Sequence, residues 1–311
     1  MTAAIVELER VTKRFGGVTA VDEVSLALHP GRTLGVVGES GCGKSTTARL
    51  IVGLERPSAG ELRFNGAAYG RSGRTLRAAR KAIGMIFQDP YESLDARFTV
   101  GDVVAEPLDT HGVRRGERAD RVRELLDSVG MSGIDPGAYP AQFSGGQRQR
   151  IGIARALALD PELVVCDEPT SALDVSVQAQ ILNLLLELQR ERGVGLLVIS
   201  HDLHVVRRMS DEVAVMYAGM VVEQGPAEAV TRSPRHPYTR ALLDAIPGTS
   251  PAERRLRDRP RAAEGIASAA VAGCPYSTRC PLATDVCRAE KPALEGADHQ
   301  VACHHADVPA A

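Results

Sequence analysis

The sequence predicts an α/β fold with a parallel sheet at its centre and a small cysteine-rich tail. Short apolar runs with the length of buried strands, such as 33–37 and 163–166, alternate with helical patterns along the chain. A glycine-rich loop follows the first of these runs and precedes a predicted helix. After Gly225 the composition shifts towards Pro, Arg, Ala and Ser, and four of the six cysteines lie beyond that point. Together these observations predict a main α/β domain followed by an extension of different character.

The composition narrows the classes of function. Apolar residues make up 44% of the 311 residues, which is enough for a sizeable packed core. The formal net charge is −2, tryptophan is absent and aromatic residues reach only 4%, so no nucleic-acid partner is expected. No run approaches the ~20 apolar residues of a membrane-spanning helix, and residues 1–15 lack the apolar centre of a signal peptide. We therefore expect a protein that is cytosolic or peripheral to a membrane.

The pattern predicts the elements of the main domain in order. Alternating β-rich segments at 5–11 and 18–28 predict an antiparallel β-subdomain ahead of the parallel sheet. The region 100–130 is predicted to be a charged helical insertion, with breaks at Pro107 and Gly112. The other predicted elements are strands at 83–87, 163–166 and 195–200, helices at 43–53, 145–159 and 175–192, and a closing hairpin of 212–217 with 220–223.

The loop from Gly38 to Ser45 matches the phosphate-binding pattern G-x-x-x-x-G-K-[ST] in the required context of strand, loop and helix. Glycines let successive backbone N–H groups face phosphate oxygens, and the helix N-terminus adds positive potential. Lys44 is expected to contact the β- and γ-phosphates, and the Ser45 hydroxyl to bind Mg²⁺. The loop therefore predicts binding of ATP with Mg²⁺. The predicted ATP-binding residues here are Gly38, Glu39, Ser40, Gly41, Cys42, Gly43, Lys44, Ser45 and Thr46.

Two carboxylates, Asp167 and Glu168, follow the predicted strand at 163–166. Ligands of open α/β sheets bind at the carboxyl ends of the strands. Asp167 suits Mg²⁺, directly or through a water molecule, and Glu168 suits orienting and deprotonating an attacking water. An acidic pair after a strand is weak evidence alone, but together with the upstream loop it predicts ATP hydrolysis.

Residues 143–147 (Phe-Ser-Gly-Gly-Gln) resemble the signature motif of ABC ATPases, and a predicted helix follows them directly. They lie between Gln88 and the acidic pair, in the order in which that family arranges its motifs. The resemblance extends over about residues 4–225. For the nucleotide held by this chain, it implies that Phe15 stacks on adenine, that Gln88 contacts Mg²⁺ and the γ-phosphate, and that His201 hydrogen-bonds the γ-phosphate. It also implies that Asp174 lies at the dimer interface. The residues that it implies bind a partner's nucleotide are Ser144, Gly145, Gly146 and Gln147.

The resemblance implies a dimer, because the family's signature motif closes on ATP held by the P-loop of a second subunit. The partner would be a second ABC ATPase subunit, either another copy of this chain or a sister chain. A soluble ABC ATPase without a transporter, such as a DNA-repair or translation factor, is the alternative from another class. A single set of motifs and the lack of a heptad repeat disfavour that alternative. A third alternative is a binding or regulatory module without catalysis. The intact Glu168 and His201 conflict with that alternative.

Three segments resemble the ATPases of bacterial oligopeptide and dipeptide importers in particular. They are residues 87–95, 166–178 and 236–242. The resemblance implies two transmembrane permease subunits as partners, indirectly an extracytoplasmic solute-binding protein, and a location on the cytoplasmic face of the bacterial inner membrane. Peptide is the expected cargo. Nickel, metallophores or other small solutes remain as alternatives, because the permease and binding protein select the cargo.

The tail carries Cys274, Cys280, Cys287 and Cys303 in the spacing C-x5-C-x6-C-x15-C. A short loop-rich segment of low apolar content needs a metal to fold, and a cytosolic location disfavours disulfides. Zinc favours C-x-x-C pairs, which are missing here, whereas four isolated thiolates suit an iron–sulfur cubane. The resemblance to importer ATPases with such a tail also implies a [4Fe–4S] cluster. Zinc, or reduced cysteines without a metal, remain as alternatives.

These expectations divide the chain into two parts. Residues 1–230 are predicted to form the P-loop ABC ATPase domain, with a helical insertion at about 90–158. Residues 231–311 are predicted to form an extension, with a linker at 247–273 and the metal-binding, cysteine-rich segment at 274–304.

Overall fold

A computed structural model describes residues 3–69, 73–113, 115–245 and 272–306 of the chain. Most of the predicted linker, 247–271, lies outside these residues. Two sheets organise the described part, and we number their strands and the helices in chain order. None of the described helices has the length and apolar character needed to cross a membrane.

The first sheet is antiparallel and has four strands in the order β2-β1-β4-β5. Its long strands were predicted, although β1 runs four residues further than expected, to Phe15. The short pair was not predicted, because it lies in a segment rich in Gly and charged residues with no clear alternation. The four strands are β1 (Val6–Phe15), β2 (Val18–Leu28), β4 (Ala59–Phe64) and β5 (Ala67–Tyr69).

The second sheet has seven strands in the order β11-β10-β9-β3-β8-β7-β6, of which the five from β9 to β6 are parallel. The P-loop and the three catalytic candidates, Gln88, Glu168 and His201, follow the carboxyl ends of parallel strands, as expected for this class of sheet. The strands are β3 (Thr33–Val37), β6 (Ile83–Ile86), β7 (Leu163–Asp167), β8 (Gly195–Ser200), β9 (Glu212–Tyr217), β10 (Met220–Pro226) and β11 (Gln300–Val301).

Both faces of the parallel sheet are buried, which explains why its strands are apolar throughout instead of alternating. Along β7, Val164 and Cys166 pack into a core formed with the helices, whereas Leu163 and Val165 pack into a second core shared with the antiparallel sheet. The helices next to this sheet are α1 (Lys44–Ile51), α2 (Arg74–Ala82), α7 (Val175–Arg192) and α8 (Leu203–Met209).

A helical region follows β6 and returns the chain to β7. Its helices are α3 (Pro90–Ser93), α4 (Val100–Thr110), α5 (Arg115–Ser128) and α6 (Gly145–Ala156). The predicted break at Pro107 is wrong, because Pro107 lies inside α4. It occupies the last turn, where the missing N–H costs a single helical hydrogen bond. The break at Gly112 is confirmed, and this residue takes a left-handed φ of 76° just after the helix.

The C-terminal residues pack against the main sheet instead of lying apart from it. Strand β11 pairs antiparallel with β10, so that Val301 faces Glu223, and Ala302 N–H donates to Val222 O at 2.8 Å. This pairing covers the edge of β10, which would otherwise expose unpaired backbone groups. The helices of this part are α9 (Ala227–Arg232), α10 (Pro237–Asp244) and α11 (Asp285–Ala289).

Candidate active site and cysteine-lined cavity

The P-loop connects β3 to α1 and is shaped by glycines at both ends. Gly38 has a φ of 155° and Gly43 a φ of 106°. A Cβ atom on Gly38 would lie 2.1 Å from Met216 O, so no larger residue fits there without displacing the neighbouring strand. The loop is therefore held against β9 at the point where it turns towards the helix.

Lys44 is buried at 4% exposure, and its ammonium group is directed back over the loop. Its Nζ donates to Gly38 O at 2.8 Å and to Glu39 O at 2.9 Å. Burying a charge is costly unless polar partners compensate, and these two carbonyls provide that compensation. The side chain is thus already held beside the backbone N–H groups that would face a phosphate.

Ser45 and Asp167 meet across the sheet. Ser45 Oγ donates to Asp167 Oδ1 at 3.0 Å, which links the start of α1 to the end of β7. Burial raises the pKa of Asp167, and the hydrogen bond from Ser45 partly offsets that rise. Two oxygen ligands side by side match the preference of Mg²⁺, which completes its octahedron with phosphate and water oxygens.

Glu168 receives two side chains from neighbouring strand ends. Gln88 Nε2 donates to Glu168 Oε2 at 3.2 Å, and His201 Nδ1 lies 3.2 Å from the same oxygen. Glu168 has a φ of 46°, a left-handed conformation that is costly for a residue with a side chain. The sequence predicted these three residues separately, and the fold brings them together around one carboxylate oxygen.

The signature residues stand apart from this cluster. Ser144 caps α6: its Oγ accepts from Gln147 N–H at 3.4 Å, while Gln147 Oε1 accepts from Ser144 N–H at 3.0 Å. Ser144 and Gln147 are exposed, as is Asp174 at the start of α7. Within the described residues, no hydrogen bond joins this helix start to the P-loop. The arrangement leaves the start of α6 exposed and outside the cluster around Glu168.

Phe15 lies at the end of β1 and is 46% exposed. Lys13 Nζ is 4.6 Å from the centre of its ring. A half-exposed ring beside a cation offers one open face for stacking.

The four cysteines of the tail line one small cavity, and none of them forms a disulfide. Burial raises the pKa of the Cys274 thiol to about 11, and it also raises the pKa of Cys280 and Cys303. The expected metal-binding tail is not borne out: within the described residues, no three His, Cys, Asp or Glu side chains are placed to hold a metal ion. The other residues lining the cavity include His236, Tyr276, His304 and His305.

His236 lines this cavity and has an unpartnered buried donor. Its Nδ1 accepts from Tyr238 N–H at 3.0 Å, and burial lowers the pKa of the ring to about 4, so the neutral ring carries its proton on Nε2. His236 is 1% exposed, and Nε2 has no hydrogen-bond partner. A buried N–H without an acceptor is costly, and it indicates that an acceptor in the cavity would be bound favourably.

Sequence reasoning missed the residues that attach the extension to the P-loop. Arg279 forms an ion pair with Glu39, and Tyr238 Oη accepts from Glu39 N–H at 2.9 Å. Glu223 in β10 is fully buried and binds the chain at Arg235 and His236. A charged residue directly after the apolar residues 220–222 was the available signal for Glu223, whereas nothing in the spacing connects Glu39 with position 279.

The fold and the site define an ATPase of the ABC class, and comparison with known proteins agrees. The ABC transporter family matches residues 21–171, and the C-terminal region of oligopeptide/dipeptide transporters matches residues 222–287. The oligopeptide transport ATP-binding protein OppF of Bacillus subtilis is 50% identical over 83% of this chain and 88% of its own. OppF of Escherichia coli is 48% identical over 93% and 88%, respectively, and the di/tripeptide protein DppF of Pseudomonas aeruginosa is 46% identical over 93% and 91%.

Solved structures give the same result for the fold. The dimeric ATP-binding cassette MJ0796, in a post-hydrolysis state with ADP and Pi, superposes with a TM-score of 0.64 at 31% identity and covers 71% of this chain and 98% of its own. CbiO1 of Clostridium perfringens, part of an ABC transporter complex, gives 0.66 at 28% identity over 74% and 92%. The chain belongs to the family of ATP-binding subunits of oligopeptide-type ABC transporters. It is the ATP-hydrolysing subunit of such a transporter.

Proposed function

We propose that the chain powers the import of peptides by closing with a second ATPase subunit around MgATP. The observation that carries this proposal is the convergence of Gln88 and His201 on Glu168, next to Lys44 and the Ser45–Asp167 pair. Peptide cargo is supported by the names of the relatives, which are oligopeptide and di/tripeptide transport proteins. We place the subunit on the cytoplasmic face of the bacterial inner membrane.

In this proposal the P-loop holds the phosphates of ATP. Backbone N–H groups of residues 38–46 and the Lys44 ammonium group bind the β- and γ-phosphates, since Lys44 already lies over the loop. Ser45, Asp167 and Gln88 would hold Mg²⁺, which neutralises phosphate charge. Phe15 stacks on the adenine with its exposed face.

Glu168 acts as the base for the attacking water. The water oxygen bonds to the γ-phosphorus as the bond to the bridging oxygen of ADP breaks, and Glu168 accepts the proton that the water loses. His201 holds a γ-phosphate oxygen during this step. In the structure, Gln88 and His201 both contact Glu168 directly, so ATP binding has to separate them from the carboxylate.

The second half of each site comes from the partner. The exposed start of α6, with Ser144, Gly145, Gly146 and Gln147, binds the γ-phosphate held by the other subunit, and Asp174 lies at that interface. The related ATP-binding cassette with ADP and Pi is dimeric, which supports a dimer for this chain. The partner is a copy of this chain or a sister chain. ATP supplies the closing energy because it binds both surfaces only in the closed state.

Permease subunits contact the chain around residues 87–100. Three exposed aromatic side chains lie in this stretch of sequence, with Phe87 at 39%, Tyr91 at 58% and Phe98 at 49% exposure. Aromatic side chains are enriched at protein interfaces. Gln88 lies in the same segment, so its release from Glu168 would be transmitted to the membrane partner. An extracytoplasmic solute-binding protein delivers the peptide.

The substitution Glu168→Gln tests the motor. The variant should bind ATP, lose phosphate release by at least about a hundredfold and accumulate as an ATP-bound dimer, because the amide cannot accept the proton. Glu162→Gln, at the opposite end of β7, is the matched control and should hydrolyse ATP normally. Uptake of a labelled tripeptide by cells that carry either variant in place of the wild-type chain tests the cargo. Normal phosphate release from Glu168→Gln, or peptide uptake independent of the chain, would contradict the proposal.

We also propose that the cysteine-lined cavity holds a [4Fe–4S] cluster, with Cys274, Cys280, Cys287 and Cys303 as ligands. The chain is divided accordingly, with an ATPase domain at 1–230 and an extension at 231–311. The residues fit this group in two respects. All four cysteines line one cavity, and His236, which lines it too, has a buried Nε2–H without an acceptor that could serve as a donor to a cluster sulfur.

A single zinc ion fits less well. Its four ligands must converge within about 2.3 Å of one point, whereas each thiolate of a cubane binds a separate iron. The bound cluster would stabilise the extension by cross-linking its loops. Anaerobic purification with absorbance spectra and quantification of iron and zinc tests the assignment, and a zinc-only protein would overturn it.

A further inference from the structure

The carboxylate of Glu39 is held from outside the P-loop. Arg279 Nη1 donates to Glu39 Oε2 at 2.9 Å and Nη2 donates to Oε1 at 3.0 Å, which is the bidentate geometry of the stronger ion pairs. The two residues are 240 positions apart, and Arg279 belongs to the cysteine-rich segment. The side chains are 22% and 32% exposed, so solvent screens the pair only in part.

The backbone of Glu39 is held from the same side. Its N–H donates to Tyr238 Oη at 2.9 Å, and Tyr238 is 1% exposed. Tyr238 packs against Tyr217 and Tyr276, with ring centres 4.6 Å and 5.4 Å away. The guanidinium of Arg279 lies 5.8 Å from the ring centre of Tyr276. Three packed tyrosines therefore fix the positions from which both contacts to Glu39 are made.

This link continues to the lysine of the P-loop. Glu39 O accepts from Lys44 Nζ at 2.9 Å, so the residue held by the extension also holds the ammonium group. A carboxylate at the second position of a loop that receives a triphosphate would repel the ligand if it were free. Arg279 neutralises that charge through a rigid two-point contact.

We propose that Arg279 and Tyr238 are positioning residues for nucleotide binding, by which the C-terminal extension holds Glu39 and sets the affinity of the P-loop for MgATP. The inference rests on the proposed phosphate-binding role of residues 38–46. It assigns the extension a function at the ATP site of its own chain. A purely structural contact would affect the stability of the extension and leave affinity unchanged.

Nucleotide affinity of the full-length chain, measured with a fluorescent ATP analogue and Mg²⁺, tests the proposal alongside kcat and KM. Arg279→Ala should weaken binding about fivefold to tenfold and raise KM by a similar factor, with kcat changed less than about twofold. Arg279→Lys should lose less, since it keeps the charge without the bidentate geometry. Arg232→Ala is the matched control: its ion pair with Glu228 also lies in the C-terminal part of the chain but is exposed and does not contact the loop.

Glu39→Gln in the Arg279→Ala background provides the decisive comparison. Removing the uncompensated charge should restore affinity to within about twofold of the wild-type value. Tyr238→Phe, which keeps the aromatic packing, should weaken binding about twofold to threefold and serves if Arg279→Ala does not fold. Any one of three results would overturn the proposal. The first is unchanged affinity in folded Arg279→Ala or in Tyr238→Phe, and the second is an equal loss of affinity in the Arg232→Ala control. The third is a failure of Glu39→Gln to restore binding. Lys44→Ala distinguishes a failure of this proposal from a failure of the proposed function, because normal nucleotide binding by that variant would refute the phosphate site itself.

Discussion

The carboxylate of Glu223 lies 2.7 Å from His299 Nε2 and so joins β10 to the segment that leads into β11. Glu223 is fully buried and also accepts from the backbone N–H groups of Arg235 at 2.7 Å and His236 at 3.0 Å. One side chain thus holds two segments that lead to the cysteine-lined cavity, residues 235–236 and the segment before β11. The three donors supply the compensation that a buried carboxylate needs.

We predict that Glu223→Gln destabilises the extension by about 1–3 kcal/mol, because the amide NH₂ would face donors where the carboxylate has acceptors. Hydrogen exchange of the backbone at residues 299–303 should accelerate, while that of β7 should not change. Glu228→Gln is the control, since the Glu228 side chain is 74% exposed and forms an exposed ion pair with Arg232. Equal protection in the two variants would contradict the role of Glu223.

Asp167 carries a stability cost at neutral pH. Burial raises its pKa, so the native protein binds the proton more tightly than the unfolded chain, and the ionised carboxylate disfavours folding above that pKa. Asp167→Asn should therefore raise the Tm of the nucleotide-free protein at pH 7 by about 2–4 °C and abolish ATP turnover. The difference in Tm between the variant and the wild type should shrink as the pH falls towards the ordinary Asp pKa of about 3.9. A lower Tm of the variant at pH 7 would show that the interpretation is wrong.

The backbone of the P-loop is expected to tolerate no side chain at its first glycine. Gly38→Ala would place a Cβ atom 2.1 Å from Met216 O, at a φ of 155° that other residues rarely adopt. We predict a loss of about 2–4 kcal/mol in unfolding free energy, together with weaker nucleotide binding. Gly17→Ala is the matched control, because nothing lies within 4 Å of its Cβ position. Chemical denaturation of both variants measures the difference, and similar midpoints would contradict the prediction.

For the cysteine-lined cavity we make a prediction that does not depend on ATP. Cys303→Ser should lower the iron content of anaerobically purified protein to less than about half, since a cubane needs all four thiolates. Cys166→Ala is the control: Cys166 is buried in the sheet core, remote from the cavity lining, and its loss should leave iron content unchanged. Equal iron in the two variants would argue against Cys303 as a ligand.

The sequence was informative where chemistry is encoded locally. The P-loop pattern, the Asp167–Glu168 pair and the apolar strands all lie within short segments, so spacing alone predicted their elements. The antiparallel pair β4–β5 was missed because its residues alternate weakly. The pairing of β11 with β10 and the ion pair of Arg279 with Glu39 were missed because they join residues far apart in sequence. Such contacts depend on tertiary packing, which periodicity and local motifs do not report.

The separation of Ser144 from Lys44 within one chain leads to a complementation experiment. In the proposed dimer, Lys44→Ala would remove the phosphate contact of a chain's own P-loop, and Ser144→Arg would block the exposed start of α6 that is proposed to serve the partner. If the chain pairs with itself, each variant alone should be inactive. A mixed dimer, however, joins the intact P-loop of the Ser144→Arg chain to the intact signature of the Lys44→Ala chain.

Mixing equal amounts of the two variants should then restore about a quarter of wild-type ATPase activity, since about half of the dimers are mixed and each has one complete site. Wild-type protein assayed alone is the control for self-pairing. An active wild-type protein whose two variants fail to complement would contradict a site shared between subunits.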